Sequence, residues 1–522
     1  MRHHFSKTAL TAAAVGASLA LASCSAGSTS TDGGTEAPAG SSGPNGGGGS
    51  QGASDASISI GFGAEPENLD FTRTDGSAIP QVLLYNVYEG LVQLDQEGKI
   101  VPGLAKSWQL SKDRKTYTFD LVDDATFSNG KKFTAQDAKF SIDRVKSSAW
   151  TVSLKAGMDV VDHAKVLSPT RLQVVLKRPS NSWLYTMTTR VGAMFSPSGV
   201  DHLATKPIGT GPYKLTKWTR GDSITLTRNE DYWGDEPHYK TVTFKYFKDP
   251  TAVNNALLTG TVNVIGSMES PESLGQFEHN QKYQVVEGTT NGEVMLSFNN
   301  GTGPFTDKKV RQAVRYAIDH QALLDTCWAG HGTLIGSMVP PTDPWYQDLT
   351  GLYPHDLHKA KALLKESGQA NHVFRLRLPT RSYATSCGTV VKSQLEQAGF
   401  KVKIDQLEFP AAWLTQVFTN ADYDMSIIMH TEPRDIGTVF GDPKFYTRYD
   451  NAAFRKLLVQ ADSGTEQQQV TDMRKAARMV SEDAAADWLF LMPNIIVADK
   501  GVAGLPKNAV SESFDVTDLS GS

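Results

Sequence analysis

The chain has little of what would assign it to a membrane, redox or nucleic-acid class. It holds three cysteines, and only Cys327 and Cys387 lie beyond the first thirty positions, so one disulfide at most can form past that point. Its clearest apolar run, Thr8–Leu21, is shorter than the roughly 20 residues a permanent spanning helix needs. Neither sign of charge dominates: the net charge is −5, mildly acidic, which argues against a nucleic-acid partner. With 39% hydrophobic and 20% charged residues, the composition fits neither a membrane bundle nor a disordered chain.

Catalytic signatures are missing as well. Gly48-Gly49-Ser50-Gln51-Gly52 has Gly-x-Ser-x-Gly spacing, but in a Gly/Ser-rich stretch where no strand–turn–helix could hold a nucleophile. Gly209-Thr210-Gly211 lacks the Gly-Lys-Ser/Thr of a phosphate loop, and Pro212 has no N–H to offer. Ser128-Asn129-Gly130-Lys131 has Ser-x-x-Lys spacing within a turn signal and without its companion motifs. There is no His-Glu-x-x-His, and His355 and His358 read as a solvated helix start. The sequence thus reads as a protein that binds and does not catalyse, without cofactor or resident metal.

The N-terminus does carry a signal. Arg2, His3, His4 and Lys7 precede the apolar run, which ends in Leu21-Ala22-Ser23-Cys24. That is the plan of a signal peptide over residues 1–23, and Leu-Ala-Ser-Cys resembles the bacterial lipobox, in which the Cys is lipidated. Residues 24–54 are nearly all Ser, Gly, Thr, Ala and Pro after the Cys, a composition that cannot bury enough apolar area to order itself. As a coil, such a tether has an end-to-end distance of roughly 30 Å. Cleavage would remove Arg2 and Lys7, leaving 49 basic against 56 acidic residues, a net charge of −7. The mature protein is expected outside the cytoplasm, anchored to the membrane through Cys24. There Cys327 and Cys387 are expected either to bridge or to remain two buried thiols.

The remaining length is too great for one compact core. Ser57–Phe62 alternates as a strand, Leu83–Leu91 spaces its apolar residues as a helix, Lys115–Leu121 alternates, and Thr134–Asp137 reads as a capping box. Two β-α-β patterns follow. Thr241–Phe247, Asp249–Leu258 and Thr261–Ile265 make one, and Val373–Leu378, Cys387–Ala398 and Phe400–Ile404 make the other. A single helix, Asp307–Asp325, is expected between them. So much chain predicts two α/β lobes rather than one sheet, with Glu293–Asn299 crossing between them and Trp488–Val497 crossing back. A hinged pair of lobes encloses a cleft.

Gly209–Trp233, GTGPYKLTKWTRGDSITLTRNEDYW, reads locally as a Gly/Pro turn and a hairpin closed by buried aromatics. GTGPY followed by RNxxYWG also resembles the large solute-binding proteins, family 5, that serve peptide and nickel ABC importers. The stretches Gly90–Val145 and Val310–Asp325 (VRQAVRYAIDHQALLD) are similar to the same family. The resemblance implies a two-lobed, type II periplasmic-binding-protein fold with an extra insertion domain in the first lobe. It implies a receptor that hands a small solute or short peptide to a permease and ATPase, and the protein is expected to be a monomer. The domains expected are 55–295 for the first lobe with an insertion at about 86–195, 296–492 for the second lobe, and 493–522 returning to the first.

The ligand site is expected after the strand Tyr423–Met429, because α/β lobes gather ligands past strand C-termini. There lie His430, Glu432, Arg434 and Asp435. In peptide-binding relatives this loop carries a Trp and then an Asp that holds the peptide α-amino group. Here His430 stands at the Trp and Pro433 at the Asp, a departure from the pattern. Glu432 or Asp435 is left to take the ammonium, and Arg434 a carboxylate. A salt-bridged surface loop is the competing reading. Trp345 and Tyr346 are expected as either an aromatic cleft wall or an exposed anchor. Alternative guests are a metal chelate or haem in contact with His430, and an alternative role is a sensory surface lipoprotein.

Overall fold

The computed structural model describes residues 55–74 and 76–521. The signal peptide, the tether and Cys24 therefore lie outside the described residues. Ten strands form the main sheet: β1 (Ser57–Phe62), β2 (Tyr213–Thr219), β3 (Ser223–Arg228), β4 (Thr241–Tyr246), β5 (Val264–Ile265), β6 (Tyr283–Phe298), β7 (Val373–Pro379), β8 (Lys401–Leu407), β9 (Met425–His430) and β10 (Ala486–Asp499). Their order is β8-β7-β9-β6-β10-β5-β1-β4-β3-β2.

The two long strands β6 and β10 lie side by side in the middle, paired antiparallel from Tyr283–Asp499 to Ser297–Ala486. Their ladder breaks register between Thr289 and Glu293, where the lobes meet. The two half-sheets are consequently one hydrogen-bonded sheet, not the two separate sheets that chain length predicts, because the crossing strands carry the ladder through. The apolar cores remain separate. Ile58, Phe62 and Phe244 pack in one cluster with Phe514 and Val516 from the chain's end. Leu296, Phe374 and Ile427 belong to another.

Both β-α-β patterns form. β4 and β5 flank β1, each parallel to it, with the helix Pro250–Leu258 between them capped by Asp249. β7 and β8 pair directly, connected by the helix Ser382–Gln397. A separate four-stranded antiparallel sheet comprises Ala105–Leu110, Thr116–Leu121, Arg171–Leu176 and Val161–Ser168 in that spatial order. The helix Ala135–Lys146 packs on it, opened by the Thr134–Asp137 capping box.

Two helices differ from expectation. Leu83–Leu91 is not one: the helix Ala78–Leu83 stops, Tyr85 turns to φ 64°, and the Asn86 amide donates to the Val82 and Phe514 carbonyls. Every residue of that stretch is buried, so its apolar spacing carries no facial information. Asp307–Asp325 divides into Lys308–Ala317 and His320–Cys327, because Ile318 is extended and Asp319 restarts the chain as a new N-cap.

The GTGPY hairpin is scaffold. A Cβ on Gly209 would sit 1.8 Å from the Val87 carbonyl oxygen, so only glycine permits this approach. Glu89, buried beside it, accepts hydrogen bonds from Thr210 (2.7 Å), Tyr232 (2.9 Å) and Trp233 (3.0 Å), joining both ends of the motif to one carboxylate. The VRQAVRYAID segment is scaffold too. Arg311 donates to the Phe305 and Ala484 carbonyls, and Arg315 and His320 meet the buried Asp487. Cys327 and Cys387 form a disulfide between two helices of the second lobe.

Candidate functional site

Past the end of β9 the chain turns through residues 431–435 into the short helix Ile436–Gly441. Arg434 adopts φ 60°, and this turn aims Glu432, Arg434 and Asp435 into a cavity of about 470 Å³. Clefts of that size suit small solutes. One wall is this loop with Trp345 and the helices Ala452–Ser463 and Glu466–Glu482. The facing wall comes from the four-stranded-sheet domain, through Leu154, Gly157, Ser182, Tyr185 and Thr189.

The predicted residues divide between cavity wall and support. Glu432, Arg434, Asp435 and Trp345 line the cavity. Tyr346 does not; it is half-buried against the second lobe's apolar cluster. His430 stands one layer back. Its Nε2 is 2.8 Å from the Tyr446 hydroxyl and its Nδ1 3.2 Å from Asp435 Oδ2. The two contacts hold the imidazole between Tyr446 and Asp435. Arg434 is also committed. Its guanidinium lies 3.6 Å from the Tyr185 ring centroid and 4.7 Å from that of Trp345, with Nε donating to Asp343 at 3.0 Å. Tyr185 belongs to the facing domain, so this stack spans the cleft.

Sequence reasoning missed Glu293. It lies on β6 opposite His430, is 2% exposed, and its Oε2 has no hydrogen-bond partner. Asp435 Oδ1 is likewise buried without one. Burial pushes the Glu293 carboxyl well above the ordinary range, and the neighbouring Asp435 and Asp343 charges add to the effect. Burial also raises Glu432, with Asp435 adding and Arg190 opposing. Asp343 is raised by burial against the pull of Arg434. Arg190 offsets only part of the Glu432 shift, and Glu512 takes both its Nε (2.6 Å) and its backbone N–H (2.7 Å). Glu432 and Asp435 thus share the cavity wall with the already paired Arg434, and Glu293 and Asp343 act on Asp435's surroundings from behind. Nothing in a strand's alternation marks Glu293; the one available signal was a carboxylate inside an otherwise apolar crossing strand.

Among the described residues no group of three or more His, Cys, Asp and Glu side chains is arranged to hold a metal ion. No helix among them is long and apolar enough to cross a membrane.

Residues 99–452 match the family described as bacterial extracellular solute-binding proteins, family 5 middle. The nickel-binding periplasmic protein of Escherichia coli K12 is 34% identical over 297 residues, 54% of this chain; the match spans 56% of that relative's own length. The glutathione-binding protein GsiB of the same strain is 27% identical over 65% of this chain and 68% of its own. Solved folds agree. Helicobacter pylori DppA in complex with the peptide STSA superposes with a TM-score of 0.79 at 22% identity, covering 89% of this chain and 98% of that one. Brucella suis NikA in complex with Fe(III)-EDTA gives 0.80 at 24%, covering 90% and 100%.

Proposed function

The chain belongs to the bacterial extracellular solute-binding proteins of family 5, which are transport components and not enzymes, and from that premise we propose that it captures a short peptide or peptide-like solute bearing a free amine. The carrying observation is the buried, unpartnered Asp435 Oδ1 in the cavity wall, with the buried Glu293 carboxyl, one oxygen also unpartnered, acting on it from behind. An unpaired buried carboxylate is costly, and an ammonium guest supplies both the missing hydrogen bonds and the missing charge. Glu432 faces the same space and shares the contact.

The lobes, residues 55–295 with 493–522 and residues 296–492, close on the guest and open to deliver it to an ABC permease and its ATPase. The protein acts as a monomer outside the cytoplasm, held at the membrane by a lipid on Cys24. A guest biases closure only by the factor by which it binds the closed form better than the open one. Calorimetry with dipeptides tests the guest: Asp435→Ala with Glu432→Ala abolishes binding of free-amine peptides, and N-acetylation of the peptide does the same. Unchanged affinity in either case removes the assignment. Labelling with radioactive palmitate, lost on Cys24→Ser, tests the anchor.

A second guest class, a metal chelate, is favoured by the name of the 34%-identical relative. His430 is a poor direct ligand for it, since both ring nitrogens are engaged. Tryptophan-fluorescence titration with Ni²⁺-histidine against a dipeptide set separates the two.

A further inference from the structure

The wall of the cavity contains a junction that no ligand contact requires. The helix Ala452–Ser463, from the second lobe, ends beside the loop Arg178–Ser182 of the four-stranded-sheet domain. Asp462, in the last turn of that helix, accepts four side-chain-directed bonds from this loop. Ser182 donates its backbone N–H (3.1 Å) and its hydroxyl (2.7 Å), Ser180 its hydroxyl (2.8 Å), and Arg178 its guanidinium. The helix's own terminal carbonyls are taken by the same side. Asn181 donates its N–H to Asp462 O (2.8 Å) and its amide to Ala461 O (2.8 Å) and Gly464 O (2.9 Å). Arg114 reaches Ser463 O at 3.2 Å and also bonds Gly464 O and the Asn181 side chain.

An aspartate in the last turn of a helix is badly placed on its own. It sits against the negative end of the helix dipole, among carbonyls that lack intrahelical partners. Released from the facing loop, Asp462 repels its own helix end and the carbonyls turn to water. Engaged, the carboxylate gains four donors, and two arginines face the negative terminus. Burial would raise the carboxyl, but the Ser182, Arg178 and Ser180 bonds outweigh it and leave it lowered, so the charged form is the one the junction holds. Ser182 and Asp462 both line the cavity, so a solute cannot pass this wall while the junction is made.

We propose that Asp462 is a positioning residue: with Ser180, Asn181, Ser182 and Arg114 it forms a clasp that holds the two lobes closed over the cavity before any solute arrives, so that clasp release gates entry. The inference rests on the reading that the lobes move, and its test needs no ligand.

The Asn181 and Ser182 amides report the clasp directly, because both donate across the junction. Hydrogen–deuterium exchange on the mature, extensively dialysed protein is read on a peptide covering residues 178–183, with the helix Lys308–Ala317 as the folding control. Wild type is expected to protect residues 178–183. Asp462→Ala is expected to speed their exchange about tenfold or more, the scale set by losing charge-assisted hydrogen bonds, with the control unchanged and the radius of gyration increased in small-angle scattering. The double variant Ser180→Ala with Ser182→Ala, made from the other side, is expected to act likewise and stands in if Asp462→Ala loses protection in the control helix. Unprotected 178–183 in wild type overturns the clasp, as does wild-type protection in the variants. If the clasp signals hold but calorimetry shows no binding of dipeptides or Ni²⁺-histidine, the proposed guests fail and the clasp stands.

Discussion

Replacing Glu293 by Gln keeps the side chain's shape and removes the charge that its surroundings oppose. Glu293 is 2% exposed, one of its carboxylate oxygens is unpartnered, and burial followed by the Asp435 charge raises its pKa well above 4.5. The folded protein therefore keeps a proton that the unfolded chain has already released. Stability then falls as pH climbs from the unfolded pKa to the raised folded one, by about 1.4 kcal/mol per pH unit for a single proton. Glu293→Gln has no proton to lose. Its advantage over wild type is nil near pH 4, grows with that slope above the ordinary Glu range, and levels off once pH passes the raised value. Between pH 4.5 and 7 the difference cannot exceed about 3.5 kcal/mol, and local relaxation brings it to about 1–3 kcal/mol at pH 7. Urea unfolding of both ligand-free proteins at pH 4 to 8 measures it. The same variant loses affinity for amine-bearing dipeptides, since the carboxylate that a cation would satisfy is gone. Parallel stability curves across the range, or a variant less stable than wild type at pH 7, would refute the argument that Glu293 is held unpaired.

Further outcomes follow from the same geometry. Because burial raises both Glu293 and Glu432, a cationic guest displaces protons from the site; near neutral pH, dipeptide binding enthalpies must differ between phosphate and Tris buffers, and equal enthalpies refute it. Affinity for such a guest weakens as pH falls through the raised Glu432 pKa, which calorimetry at pH 5 and 7 checks. Glu89→Ala leaves the Thr210, Tyr232 and Trp233 donors without their acceptor and should cost about 3–5 kcal/mol in urea unfolding; a loss under about 1 kcal/mol contradicts the scaffold role. Removing the Cys327–Cys387 bridge, which closes a separation of 60 residues, should cost about 4 kcal/mol; an unchanged denaturation midpoint contradicts it.

Much of the frame is legible in the sequence because it rests on local rules. The hairpin turn at Gly221, the capping box at Thr134 and Asp137, and the alternation in β4 and β7 each depend on neighbours a few residues away. The loop after β9 was legible for the same reason: it follows the C-terminal end of a buried strand. What failed was non-local. Leu83–Leu91 is buried on every side, so helical spacing had no solvent face to reveal. Glu293 becomes meaningful only when β6 and β9 pair and set it opposite His430. Asp462 and Ser182 are 280 residues apart, and each is ordinary alone.

The charge pattern of the cavity also bears on which guests it refuses. Two like charges about 4 Å apart repel by about 4 kcal/mol at an effective dielectric near 20. A guest bringing a free carboxylate to this space meets Glu432 and Asp435 directly, with Glu293 and Asp343 behind them. Arg434, the cation among the cavity-lining residues, would have to leave Asp343 and the Tyr185 and Trp345 rings to receive it. That exchange strands Asp343, which is itself buried and already raised by burial. The same stack bridges the two walls, so pulling Arg434 toward an anion would also break that contact. An amine meets none of these costs: it gives Asp435 Oδ1 a donor and leaves the stack intact. A zwitterionic peptide is accommodated only with its amine against Asp435 and its carboxylate turned away from the acidic floor, which fixes the direction in which such a guest lies.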